Sequence, residues 1–150
     1  MRIYLDTCCL NRPFDDASVD RNRLEAQAVR TILRRVHSGF WSLIGSEAID
    51  SELDEMPDAD KRKLTRNFLM LQSESVPVGD RECARMRELV GLGFSAYDAL
   101  HIACAETAKC DIFLTTDDDI LKHAARHPGR LRVPVANPLR WIGEELLDED

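Results

Sequence analysis

Ile3-Tyr4-Leu5-Asp6 and Ile112-Phe113-Leu114-Thr115-Thr116-Asp117 decide how this chain folds. Each is a short, unbroken apolar run followed within three residues by an acid. Such runs belong to strands covered on both faces, as in a parallel sheet between helices. Working outward, strands are expected at Arg2–Leu5, Phe40–Ile44, Ser75–Val78, Asp111–Leu114 and Leu131–Ala136. Helices are expected at Arg21–His37, Glu47–Glu55, Ala59–Leu71, Asp80–Val90, Ala96–Ala108, Asp117–Arg126 and Leu139–Leu147. Strands separated by helices predict parallel crossover units, here an α/β fold: a three-layer α/β/α sandwich around a parallel sheet of about five strands.

The strand order follows from two constraints. The first and fourth strands are apolar throughout and therefore central. Val76-Pro77-Val78 and Val133-Pro134-Val135 each contain a proline, which lacks a ladder donor and belongs on an edge. The order 3-2-1-4-5 satisfies both. In such a sheet ligands bind outside the carboxyl ends of the strands, near the point where the order reverses.

The chain has 150 residues, 44% of them hydrophobic and 31% charged, which suits one domain spanning 1–150. It contains no repeat and no Gly/Ser-rich linker. No run approaches the roughly 18 apolar residues of a membrane helix. The opening residues carry one Arg and a short apolar run, too little for a secretory signal, so a cytoplasmic, non-membrane protein is expected. Cys8, Cys9, Cys83, Cys104 and Cys110 are an odd, scattered set without a C-x-x-C pair, which argues against a disulfide scaffold or zinc knuckle. The net charge of −7 gives no general attraction for nucleic acid. That disfavours a simple nucleic-acid-binding module, but not a nuclease whose acids are filled by cations.

Four carboxylates invite a functional reading beside an ordinary one. Asp6 follows the first strand and could simply open a turn. Asp117 follows the fourth and could sit favourably in a helix's first turn. Asp98, in Ser95-Ala96-Tyr97-Asp98, reads as part of a capping box. Glu52 resists such a reading. With Ala48 at the origin and about 100° per residue, Glu52 falls at roughly 40°, between Ala48 and Met56 at roughly 80°. A carboxylate on the apolar arc needs a cation, hydrogen bonds or a raised pKa. Asp6, Asp98 and Asp117 all fall where strands end and helices begin, and Glu52 faces inward near the same edge. Four clustered carboxylates repel one another, and one or two hard divalent cations would resolve this. A divalent-metal site is therefore expected.

These fragments, Leu5-Asp6-Thr7, Ser46 to Glu52-Leu53, Tyr97-Asp98-Ala99-Leu100-His101-Ile102-Ala103 and Leu114-Thr115-Thr116-Asp117, come in an order and spacing that resembles the PIN domain family, the fold of many VapC-type toxin ribonucleases. The resemblance runs from Tyr4 to about Val135 and implies the 3-2-1-4-5 sheet. It implies that Asp6, Glu52, Asp98 and Asp117 are the catalytic, metal-holding residues, with Mg²⁺ or Mn²⁺ as the cofactor. The implied reaction is hydrolysis of RNA phosphodiesters by a water whose pKa the cation lowers. Thr115 matches a hydroxyl residue that contacts the site or substrate, and Asn11 is a further polar contact. Cys8 and Cys9 depart from the small polar residues common at those positions. A homodimer and an antitoxin partner are implied as well. The alternative is a PIN-like scaffold that binds RNA or a protein without turnover; DNA in place of RNA is a third reading.

Other constellations carry less. Arg21, Arg23, Arg30, Arg34 and Arg35, and Lys61-Arg62-Lys63 with Arg66, could contact phosphates, or form solvated helix faces. His123 and His127 are four apart without a third ligand, as surface histidines often are. His101, three after Asp98, is expected to pack or hydrogen-bond near the site. There is no Cys-x5-Arg loop, no aspartyl-phosphatase pair at Asp6 and no Gly-rich nucleotide loop.

Overall fold

The computed structural model describes residues 1–149. Its elements are β1 (Arg2–Leu5), α1 (Thr7–Asn11), a 3-10 turn at Arg12–Phe14, α2 (Asp20–His37), β2 (Ser42–Ser46), α3 (Glu47–Asp54), α4 (Ala59–Leu69) and β3 (Gln72–Val76). There follow α5 (Asp80–Val90), α6 (Ala96–Thr107), β4 (Ile112–Leu114), α7 (Asp118–Arg126), β5 (Val135–Ala136) and α8 (Pro138–Asp148). All pairings are parallel and the order is β3-β2-β1-β4-β5, as the apolar runs predict. Helices cover both faces of this sheet.

The central strands carry the core. Ile3, Tyr4, Leu5, Phe113 and Leu114 are fully buried, and burial of such a side chain contributes about 1.5–3 kcal/mol. Tyr4 pairs in register with Ile44 on one side and Phe113 on the other, and its ring stacks on Phe113 at 5.3 Å. α6 is buried along Ala99 and His101–Ala105, which explains its nearly all-round apolar sequence. The chain runs outward from β1 to β2 and β3, then reverses to β4 and β5. Asp6 follows β1, immediately at that reversal.

Several boundaries differ from the sequence expectation. The prolines flank the edge strands instead of interrupting them. β3 lies at Gln72–Val76, before Pro77, and its three middle residues are exposed. A polar edge strand has no apolar signature, so Val76-Pro77-Val78 drew the expected position too far along. β5 is two residues long, because the turn through Gly129 (φ 78°) delays pairing until Pro134 O accepts from Phe113 N. β2 starts at Ser42, since Phe40 lies exposed beyond the Gly39 turn (φ 81°) beneath the Arg35 guanidinium. α1 was not expected: five residues are too few for a hydrophobic period.

The acidic terminus is helical through Asp148, close to the expected Leu139–Leu147. Trp141 anchors α8 on Trp41 at 5.1 Å, and Arg35 pairs with Glu149. Asp150 lies outside the described residues. Among the described residues no helix is long and apolar enough to cross a membrane.

Candidate active site

The parallel ladder continues past β1 and β4 and brings their acids to one edge. Asp6 N donates to Leu114 O (3.0 Å), and Thr115 N donates to Ala136 O (3.0 Å). Asp6 then caps α1, its Oδ1 accepting from Thr7 N at 2.8 Å. Its Oδ2 accepts from Thr115 Oγ1 at 3.0 Å, and Thr115 Oγ1 in turn accepts from Asp117 N at 3.1 Å. One buried hydroxyl thus joins the first acid to the last. Cys8 takes a comparable place: its thiol donates to Asp6 Oδ2 at 3.4 Å and lies 3.3 Å from Thr115 Oγ1.

Glu52 reaches the same point from α3. Ser46 caps that helix by accepting from Ile49 N at 3.2 Å. The wheel reading holds: Ala48, Ile49 and Leu53 are buried and Glu52 is half-buried beside them. Asp6, Glu52 and His101 offer ligand atoms within 4.8 Å of one another. His101 Nε2 stands 3.8 Å from Asp6 Oδ1 and 3.5 Å from Glu52 Oε2. The other ring nitrogen, Nδ1, shares a 2.7 Å hydrogen bond with Tyr4 OH, which is 2.7 Å from Ser46 Oγ. Nε2 itself has no hydrogen-bond partner among the described residues.

Asp98 and Asp117 line an adjoining pocket with Gly93, Phe94, Asp119 and His123. The ordinary readings are met in part: no return bond from the Asp98 carboxylate to Ser95 N completes the capping box among the described residues, and Asp117 is the N-cap of α7, one position before its first turn. Ser95 caps α6, accepting from Asp98 N at 3.3 Å, and Asp117 caps α7, accepting from Asp119 N at 2.8 Å. These caps aim the two carboxylates without neutralising them. His123 is half-buried against Phe94 (5.5 Å), not a free surface residue, and Gly93 (φ 109°) makes room for its ring. His127 lies just past the end of α7.

Electrostatics join the two groups. Burial raises the Asp98 pKa to about 6, against a Ser95 hydrogen bond and with the charges of Asp6 and Asp117 adding to it. Asp6 is also raised, by burial first and by Glu52, with His101 opposing. Burial pushes Glu52 up as well, but the adjacent His101 outweighs it and holds Glu52 below its ordinary value. Burial depresses His101, and the carboxylates of Glu52, Asp6 and Asp98 more than reverse that. Crowded oxygen donors with one orphaned imidazole nitrogen are a set that a divalent cation would satisfy.

Asn11 does not hydrogen-bond a site carboxylate among the described residues; it accepts from Thr65 of α4 at 2.7 Å. The basic clusters are largely tied down. Arg21, Arg23, Arg35, Lys61 and Arg66 pair with Asp118, Asp20, Glu149, Asp15 and Asp54. A further buried acid escaped the sequence reading. Glu25 shares the inner face of α2 with Ala28, Val29 and Ile32, a helical spacing that the wheel applied to Glu52 would have found. It is ion-paired to Arg12 Nε (3.2 Å) and Arg21 Nε (3.3 Å) and accepts from Asn137.

Comparison with known proteins agrees with this architecture. The model of the PIN domain matches residues 3–126. Among solved structures, FitAcB from Neisseria gonorrhoeae superposes with a TM-score of 0.58 at 18% identity, covering 91% of this chain and 97% of that one. VapBC2 from Rickettsia felis, bound to a DNA fragment from their promoter, gives 0.59 at 12% identity, covering 91% and 98%. At these identities the likeness is one of fold. No curated protein sequence matches significantly.

Proposed function

The chain belongs to the PIN domain family, and from that premise we propose that it is a divalent-cation-dependent endoribonuclease, the toxin of a pair restrained by an antitoxin. The observation that carries this reading is the grouping of Asp6, Glu52 and His101 ligand atoms within 4.8 Å, with Asp98 near enough for its carboxyl to feel the charges of Asp6 and Asp117. A cluster with that much negative charge, and with no Lys or Arg paired to its carboxylates among the described residues, suits a cation that could in turn meet a phosphate.

Asp6, Glu52, Asp98 and Asp117 would hold Mg²⁺ or Mn²⁺. When bound, the cation lowers the pKa of a water and offsets charge on the phosphate. The chain's own work is positioning. Thr115 fixes Asp6 relative to Asp117, and Ser46 and Ser95 fix the helices that deliver Glu52 and Asp98. The family resemblance also supports a homodimer, which sedimentation of the purified chain would test.

The scaffold reading draws on a specific observation: the arginines and lysines that could grip RNA are mostly engaged by acids of the same chain. The deciding experiment incubates the full chain with mixed RNA and with DNA, in Mg²⁺, in Mn²⁺ and in EDTA, beside Asp98→Asn. Cation-dependent RNA cleavage, lost in EDTA and in the variant, supports the nuclease. RNA binding without turnover under every condition supports the scaffold, and cleavage of DNA alone reassigns the substrate.

A further inference from the structure

His101 is the one site residue that the carboxylate reading leaves unexplained. It is fully buried, yet one ring nitrogen points into the acids without a hydrogen bond. Its distances to Asp6 and Glu52, 3.8 and 3.5 Å, exceed the roughly 2.7–3.2 Å of an N–H···O bond. They match two donors sharing an ion. Ligands each about 2.0–2.2 Å from one cation, at angles of roughly 90–120°, stand about 2.8–3.8 Å apart.

The other side of the ring points the same way. If Nδ1–H donates to Tyr4 Oη and Tyr4 O–H donates to Ser46 Oγ, the Nε2 lone pair faces Asp6 and Glu52. That is the arrangement in which a partner on one nitrogen orients the other toward a metal. The opposite tautomer, or the imidazolium, would aim an N–H at Glu52 and Asp6 across 3.5 and 3.8 Å, longer than an ordinary hydrogen bond. A bare lone pair against two carboxylates is in turn unfavourable unless a positive charge lies between them.

We propose that His101 Nε2 is a nitrogen ligand of the cation held between Asp6 and Glu52, and that it tilts the site toward Mn²⁺ over Mg²⁺. This rests on the metal-site reading above and adds the donor that sets its selectivity. Carboxylates and water suit both Mg²⁺ and Mn²⁺, and an added imidazole disfavours Mg²⁺, the smaller and harder ion, more than Mn²⁺. Tyr4 and Ser46 are then positioning residues for the ring.

The test is pulsed electron paramagnetic resonance of Mn²⁺ added to the full wild-type chain, with calorimetric titration of Mn²⁺ and Mg²⁺ alongside. The expected result is nitrogen modulation from the bound ion that changes when histidine is ¹⁵N-labelled. It should be lost in His101→Asn and retained in His123→Gln. Mn²⁺ should bind at least tenfold more weakly to His101→Asn while Mg²⁺ affinity changes less, and Tyr4→Phe should weaken Mn²⁺ by about 10- to 100-fold. Bound Mn²⁺ without nitrogen modulation in the wild type overturns the assignment of His101 and leaves the carboxylate site standing. That arm needs no variant to fold. No binding of either cation overturns the metal-site reading itself. Modulation lost in His123→Gln instead moves the ligand to the neighbouring pocket.

Discussion

Glu25 and Asp6 are both buried carboxylates, one on the inner face of α2 and one at the end of β1, and the protein surrounds them differently. Glu25 is met by Arg12, Arg21 and Asn137. Asp6 is met by neutral donors, Thr7 N, Thr115 and Cys8, by a histidine it does not hydrogen-bond, and by another acid. The first is an ion-paired cluster that ties α2 to the 3-10 turn and the start of α8, although Glu25 Oε1 and Arg12 Nε meet at 3.2 Å as charges and not as a hydrogen bond. The second is incomplete within the chain. A buried acid supplied with guanidinium serves the fold; a buried acid supplied with more acid awaits a ligand.

The largest effect should separate the two directly. Glu25→Gln is expected to destabilise by about 3 kcal/mol, the low end for breaking a buried pair, because Arg12 and Arg21 keep Asp15 and Asp118. Asp6→Asn should cost less, about 1 kcal/mol, since the lost acceptor for Thr115 and Cys8 is offset by relieved repulsion while an amide oxygen still caps Thr7. Equal costs in urea unfolding would erase the distinction. Next, Mn²⁺ at about 100 times its dissociation constant should add about 2.7 kcal/mol, a rise of several degrees in Tm. That rise should persist in Glu25→Gln and vanish in Asp6→Asn; persistence in both would remove Asp6 from the site.

Thr115→Val should cost about 1–2 kcal/mol, because it removes the hydroxyl shared by Asp6 and Asp117 N, and it should weaken Mn²⁺ binding as well. The smallest effect is one of pH, read in EDTA. The folded pKa of Asp98, about 6, exceeds the ordinary 3.8, so the folded state binds its proton more tightly. Its contribution is full below pH 3.8 and is lost as the pH rises through about 6. The change should be roughly 1 kcal/mol after allowing for its partial exposure. Asp98→Asn should flatten that decline, and an unchanged profile would show that burial and the neighbouring acids do not raise the Asp98 pKa.

Legibility differed from place to place for physical reasons. β1 and β4 are read without error at their cores because strands buried on both faces admit no polar residue. β3 was shifted because an exposed edge needs no apolar pattern. Glu52 was found because a helix of defined period turns one acid into an anomaly. Cys8 was marked only as a departure, and its bonds to Asp6 and Thr115 depend on β1 and β4 being neighbours. His101 sat in a stretch so uniformly apolar that periodicity could not say which way the ring points.

By itself, the sequence determined the alternation of strands and helices, the strand order and the acids at the sheet edge. Those follow from local periodicity, and from prolines that the ladder excludes. Only the tertiary structure decided which acids are neutralised and which are left open. Glu25 and Asp6 are both acids beside apolar residues in the chain. Their difference lies in partners as distant in sequence as Asn137 and His101, brought near only when the helices pack on the sheet.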